Sequence, residues 1–313
     1  MKKFKKALFG ALTVAAAVLA TACSSSKSSS SSKGYTPSKS HPLTIQFVPS
    51  QAASTLEAKA KPLEKILSKK LGVPVKISMS TDYNTVVEAM KSKKVDVGFL
   101  PPDGYVLAHK QKAADVLLQA LRYGVKQPGG KATNKLVKVY RSEILVKKGS
   151  KIKSWKDLKG KKIAVQNATS SAGYIFPIAE LKEKGLDLTK KGNANLVTVT
   201  GHDQAVLDVL NGDVDAAFTF EDARNTVLAD QPNIMKKVVP IYFTKSIPND
   251  TISVRSDMSN SFRKKLSKAF ESLSKDKKSL KIIESIYSHE GYTPSKDSDF
   301  NIVRKYDKMA ATK

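Results

Sequence analysis

A leader that ends at a lone cysteine decides where this chain folds and what may hold it together. Residues 1–6 carry four lysines, and an apolar run of about fourteen residues follows from Ala7 to Ala20. Leu19-Ala20-Thr21-Ala22-Cys23 closes the run with small residues. Basic, apolar and small segments in that order are the layout of an export signal, and the apolar stretch is short for a stable membrane span. Cys23 is the only cysteine. The exported part therefore folds without a disulfide, and about 270 residues are enough to build two lobes with cores of their own.

Residues 24–40 are almost all serine and lysine, with Gly34 and Pro37. That composition offers too little apolar surface to offset the entropy of ordering, so the segment is expected to be a flexible spacer. The whole chain has 54 Lys and Arg against 28 Asp and Glu, a net charge of +26. Such a surface attracts anions. Nucleic acid is excluded as the partner because of the export signal, and because the basic residues are nearly all lysine, without the arginine forks that read bases and phosphates.

From residue 43 onward, strand-like and helix-like runs alternate. Strands are expected at 43–48, 75–80, 95–100 and 116–120, with helices at 54–71, 83–94 and 103–112 between them. Pro128, Gly129 and Gly130 mark residues 126–135 as an exposed loop. A long strand at 139–146 restarts the alternation, and further strands fall at 162–166, 196–200, 214–220, 238–243 and 249–254. The pattern predicts an α/β chain of two lobes, each a mixed, mainly parallel sheet flanked by helices. The expected boundaries are residues 1–22 for the signal peptide, 23–40 for the modified cysteine and linker, 41–140 plus 246–313 for lobe 1, and 141–245 for an inserted lobe 2.

The sharpest local signal is Lys162-Ile-Ala-Val-Gln-Asn-Ala-Thr-Ser-Ser-Ala-Gly-Tyr174. A strand ends, Thr169, Ser170 and Ser171 follow, and a helix begins. First-turn N–H groups have no internal partner, and with three hydroxyls beside them they suit a tetrahedral oxyanion. One of those hydroxyls could equally serve only as a helix cap. Pro177 falls past the first turn and is expected to kink the helix or shorten its start. His202 and the pair Glu221 and Asp222 follow the next two strands at their carboxyl ends, where ligands bind in open α/β sheets. Tyr83 and Tyr105 follow strands of the other lobe and can each donate a phenol, or lie in the core.

These residues bring the chain into resemblance with the phosphate, phosphite and phosphonate substrate-binding proteins of ABC transporters, of the phosphonate-binding type. The carriers are Asp82-Tyr83, Phe99-Leu-Pro-Pro102 with Tyr105, Asp157-Leu-Lys-Gly160, Thr169-Ser-Ser-Ala-Gly-Tyr-Ile-Phe-Pro177, Gly201-His-Asp-Gln-Ala205, Asp215-Ala-Ala217 with Glu221-Asp222, Ile247-Pro-Asn-Asp250, and Tyr287-Ser-His-Glu-Gly-Tyr292. The resemblance implies a periplasmic-binding-protein-like clamshell of type II. Its oxyanion would be held by Thr169, Ser170 and Ser171, by His202 and by Tyr83, with Tyr105 and the Glu221/Asp222 pair shaping the rest of the wall. Asp222 is the favoured member of that pair. A carboxylate in such a site accepts from a protonated oxyanion or pairs with a ligand ammonium, so phosphate, phosphite and alkylphosphonates all remain open.

Cys23 likewise resembles the acylated cysteine of bacterial lipoproteins, although Ala20 stands where a larger apolar residue is commoner. The implied protein is a monomer anchored by lipid on Cys23 at the outer face of the cytoplasmic membrane, or in the periplasm, that delivers a small phosphorus oxyanion to a permease and its ATPase. An enzyme is not expected. There is no Gly-x-Ser-x-Gly elbow, His41, His109, His202 and His289 lack metal-ligand spacing, and no cofactor motif occurs. The alternatives are a sensing or adhesive surface lipoprotein with the same fold, and a binder of another oxyanion such as a sulfonate.

Overall fold

The computed structural model describes residues 34–311, which form a single unit. The signal peptide, Cys23 and most of the expected linker lie outside the described residues. Among the described residues no helix is long and apolar enough to cross a membrane.

Among the described residues fourteen strands can be numbered in chain order. They are β1 (Leu43–Phe47), β2 (Val75–Met79), β3 (Val97–Leu100), β4 (Ala114–Lys126), β5 (Lys131–Val137), β6 (Val139–Tyr140) and β7 (Ser142–Lys147), then β8 (Lys161–Val165), β9 (Ala194–Thr198), β10 (Ala216–Phe220), β11 (Val238–Phe243), β12 (Ile247–Pro248), β13 (Thr251–Arg255) and β14 (Gly291–Pro294). One sheet has the order β14-β4-β13-β3-β1-β2 with β5 added on β4, and the other the order β11-β7-β10-β8-β9. The chain passes between them at the short antiparallel pair β6 and β12, where Ile247 faces Tyr140 and Pro248 faces Val139. The long strand expected at 139–146 is thus broken at Arg141, with β6 pairing at the crossing and β7 in the second sheet.

Each sheet is more evenly mixed than expected. The pairs β1–β2 and β1–β3 are parallel in the first sheet, and β8–β9 and β8–β10 in the second. Strands that enter from a crossing run the other way: β13 inserts antiparallel between β3 and β4, and β7 between β10 and β11. The parallel strands of both sheets remain the ones whose carboxyl ends build the site.

Three other expectations change. Residues 34–40 are not a free spacer. Tyr35 forms a bridge with Met258, its ring lies 3.8 Å from the Arg255 guanidinium, and Pro37 is buried. A single aromatic side chain gives this end of a polar segment enough surface to dock. Residues 126–135 are largely exposed as expected but are not all loop, since β4 and β5 form a hairpin whose tip touches lobe 2. There Arg224 Nη2 donates to the Pro128 carbonyl at 2.7 Å and Asn225 Nδ2 to the Gly130 carbonyl at 3.0 Å.

The last helix, Asn301–Ala310, was expected within lobe 1, yet it also packs on the lobe 2 helix Phe176–Glu183. The Tyr306 ring stacks on Phe176 at 4.1 Å and its hydroxyl donates to Glu180 at 2.9 Å. One apolar cluster accordingly runs from Val86 and Tyr105 through Tyr306 to Phe176 and Phe218, while two others lie wholly within one lobe each.

Candidate functional site

A cavity of about 260 Å³ lies where the carboxyl ends of the parallel strands of the two sheets face each other. Lobe 1 contributes Ser50 and Gln51 after β1, Tyr83 after β2 and Pro101 after β3. Lobe 2 contributes Ser170 and Ala172 after β8, His202 after β9 and Asp222 after β10.

Local chemistry places each of these. Asp82 caps the helix Tyr83–Lys91 by accepting from Thr85 N–H at 2.9 Å, which fixes Tyr83 at the first helical position. Beyond β8 the chain makes one wide, π-type turn over Ser171–Ile175 before the regular helix begins at Phe176. Pro177 therefore falls in the first turn of the α-helix, where its missing N–H is harmless, and the regular helix starts late, at Phe176, which is the shortened start expected of it. Ser170 caps the wide turn, its Oγ accepting from Gly173 N–H at 3.2 Å. Capping and lining the cavity are thus both done by one hydroxyl.

Gln166 ties the two lobe 2 loops together. Its backbone N–H donates to the Gly173 carbonyl at 3.0 Å, while its side-chain amide exchanges two 3.2 Å bonds with the backbone of Gly201. Gly173 leaves room for that side chain, since a Cβ there would collide with Gln166 Cγ. Gly201 has φ +94°, a conformation that only glycine adopts without strain. A single buried amide thereby sets Ser170 and His202 relative to each other.

Two of the site's donors, His202 and Tyr83, are held uncharged. Burial lowers His202 from its ordinary 6.5 to about 3, so the imidazole is neutral and keeps one N–H. Its Nδ1 is buried with no hydrogen-bond partner among the described residues, the condition of a group that awaits a ligand or water. The Tyr83 phenol is raised by burial and then by Asp250, and its bond to Ser170 lowers it only in part, so it stays protonated. Asp222 is paired: Arg122 Nη2 lies 2.6 Å from both of its oxygens.

Of the eight expected site residues, Tyr83, Ser170, His202 and Asp222 line the cavity, and four do not. Thr169 Oγ1 donates across the cleft to Asn84 Oδ1 at 3.0 Å, and Ser171 Oγ accepts from the Asp103 N–H at 3.2 Å. Thr169 and Ser170 precede the wide turn and Ser171 opens it, so the three hydroxyls point in different directions and only Ser170 lines the cavity. The other two bind the opposite lobe. Tyr105 lies behind the site, its hydroxyl donating to Asp297 at 2.7 Å and its ring edge-on to Phe300 at 4.8 Å. Glu221 turns away toward the hairpin, accepting from Gln127 Nε2 and from the Arg141 N–H.

Sequence reasoning missed Arg122, Tyr140, Asn249, Asp250 and His289, all of which line the cavity. Asp250 and His289 stand within the stretches Ile247-Pro-Asn-Asp250 and Tyr287-Ser-His-Glu-Gly-Tyr292, and their ring nitrogen and carboxylate oxygen are 3.6 Å apart. The signal was present for Asp250, a carboxylate just after a crossing. It was absent for Arg122, which sits mid-strand in β4. Among the described residues, no group of three His, Cys, Asp or Glu side chains is arranged to hold a metal.

The family model described as ABC transporter, phosphonate, periplasmic substrate-binding protein matches residues 45–300. The chain is 30% identical over 227 residues to the Phosphate-import protein PhnD of Mycolicibacterium smegmatis. That match covers 70% of this chain and 66% of the relative, just under two thirds of its length. It is 24% identical over 270 residues to the Phosphonates-binding periplasmic protein of Escherichia coli, covering 83% of this chain and 74% of that one. Among solved structures, PhnD1 from Prochlorococcus marinus in complex with methylphosphonate has a TM-score of 0.72 at 17% identity, covering 85% of this chain and 97% of that one. The binding protein component of an ABC phosphonate transporter from Pseudomonas aeruginosa has a TM-score of 0.70 at 20% identity, with 85% of each chain covered.

Proposed function

This chain belongs to the family of periplasmic, phosphonate-type substrate-binding proteins of ABC transporters, and from that premise we propose that it captures a small phosphorus oxyanion between its two lobes and hands it to a permease and its ATPase. The ligand class is phosphate, phosphite or an alkylphosphonate, in keeping with the names carried by the relatives. Acylated Cys23 would hold the receptor, as a monomer, at the outer face of the membrane beside the permease. The family consists of transport receptors, and the protein binds its ligand without converting it.

One observation carries the reading of the site. Ser170 and His202 from one lobe and Tyr83 from the other meet at a single cavity, and all three are neutral groups with an O–H or N–H to give. Neutral donors suit an anion that must be released again to the permease, because each hydrogen bond to a charged acceptor contributes about 1.5–3 kcal/mol without the grip of a formal ion pair. The N–H group of Ala172, at the start of the wide turn, makes no hydrogen bond among the described residues, and Ala172 lines the same cavity. Lobe 1 and lobe 2 then close on the ligand through Thr169 with Asn84, Ser171 with Asp103, and the Ala52 N–H with Asp203 at 3.1 Å. Hinge motion about β6 and β12 opens them.

Calorimetric titration with phosphate, phosphite and methylphosphonate tests the reading. Ser170→Ala is expected to weaken the preferred ligand by about tenfold or more. Unchanged affinity in a folded Ser170→Ala protein would remove Ser170 from the site.

A further inference from the structure

The acidic wall of the cavity already holds a cation, and the chain itself supplies it. Arg122 projects from β4 of lobe 1 and is 8% exposed. Its Nη2 lies 2.6 Å from both oxygens of Asp222 on lobe 2, so the ion pair spans the cleft and lines the cavity at once. The guanidinium carbon sits 5.8 Å from the Tyr140 ring and 5.9 Å from the Phe220 ring, which fix it in place and shield it. Glu221 and Asp250 also lie within its field.

The other charged or titratable groups that line the cavity are Asp250, Lys59, the two histidines and the phenols of Tyr83, Tyr140 and Tyr287. His202 is neutral. None of them relieves Asp222 of its partner.

Resting on the reading of this cavity as an oxyanion site, we infer that Arg122 is an internal counter-ion occupying the place where a ligand's ammonium would pair with Asp222, so that the site selects phosphorus oxyanions with an uncharged substituent and discriminates against aminoalkyl ones. An incoming ammonium has two routes to Asp222. It can displace Arg122, which strands a buried guanidinium without its carboxylate. Alternatively it can lie beside Arg122, as a like charge in surroundings of low dielectric. Asp250, the other carboxylate of the cavity, lies in the field of the same guanidinium, so an ammonium that pairs there still meets a like charge. A hydroxyl, hydrogen or methyl substituent meets neither penalty. Discrimination of this kind works by repelling the wrong ligand rather than by gripping the right one.

The test is calorimetric titration of the purified protein with methylphosphonate and with 2-aminoethylphosphonate. The wild type is expected to bind methylphosphonate at least about tenfold more tightly. Arg122→Gln frees Asp222 and should shrink that preference by about tenfold or more, and the shrinkage should be lost again in Arg122→Gln/Asp222→Asn. Arg122→Lys keeps the charge and should keep the preference. If Arg122→Gln does not fold, the wild-type ratio and Arg122→Lys still decide the matter. Equal binding of the two ligands by the wild type would overturn the inference and leave the oxyanion reading standing. So would an unmoved ratio in folded Arg122→Gln. Failure of both ligands, and of phosphate and phosphite, to bind would overturn the oxyanion reading and the inference with it.

Discussion

Replacing His202 by glutamine isolates the consequence of burying a neutral imidazole. The ring is 3% exposed, and burial lowers it from 6.5 to about 3. In the unfolded chain the same ring titrates near its ordinary value. As pH falls below 6.5 the unfolded state therefore takes up a proton that the native state refuses. The stability owed to this group is complete above pH 6.5 and drains away as pH falls toward 3. At pH 4.5 the unfolded ring is two pH units below its ordinary value and the native ring is still neutral, a difference of about 2.7 kcal/mol. Glutamine has no such titration. Urea unfolding of both ligand-free proteins at pH 7.5 and 4.5 reads the effect directly. Wild type should lose about 2–3 kcal/mol more than His202→Gln over that interval. A parallel loss in the two proteins would mean that the native ring takes up its proton like an exposed one, and the account of a neutral donor would fall.

Three further outcomes are expected. Gly173→Ala forces a Cβ against Gln166, so it should lower stability by about 1–3 kcal/mol in urea unfolding and weaken ligand binding through the displaced Ser170. Tyr105→Phe removes the hydrogen bond to Asp297 behind the site. It should cost about 1 kcal/mol of stability and leave ligand affinity within about twofold by calorimetry, whereas a large loss of affinity would return Tyr105 to the wall. Arg224→Leu leaves Glu143 buried without its cationic partner, and thermal and urea unfolding should register a loss of about 3–5 kcal/mol.

Much of the fold was legible because its rules are local. The alternation of apolar runs gave the strands, and Gly72, which ends the helix Pro62–Leu71 at φ +66°, was readable as a stop. Ser170, His202 and Asp222 were legible for a related reason. Each follows a parallel strand of the second sheet, and strand ends are visible in the pattern. What could not be read depends on facing and on distance along the chain. Thr169, Ser170 and Ser171 are indistinguishable by residue type, and only the wide turn decides that Ser170 alone looks inward. Glu221 and Asp222 differ by one position, and the hairpin tip at Gln127, remote in sequence, draws Glu221 away. Arg122 pairs with a residue 100 positions later, across the cleft. No periodicity or spacing encodes such a partner. The C-terminal helix escaped for the same reason, since its Tyr306 stacks on Phe176 in the other lobe.

The most direct check on the central claim is a crystal structure of the protein soaked with methylphosphonate and, separately, with phosphate. The phosphorus group should sit within hydrogen-bonding reach of Ser170 Oγ, the His202 ring and the Tyr83 hydroxyl, with Arg122 still paired to Asp222. Density for the ligand outside this cavity, or Ser170 and Tyr83 turned wholly toward protein partners with the ligand present, would contradict the account.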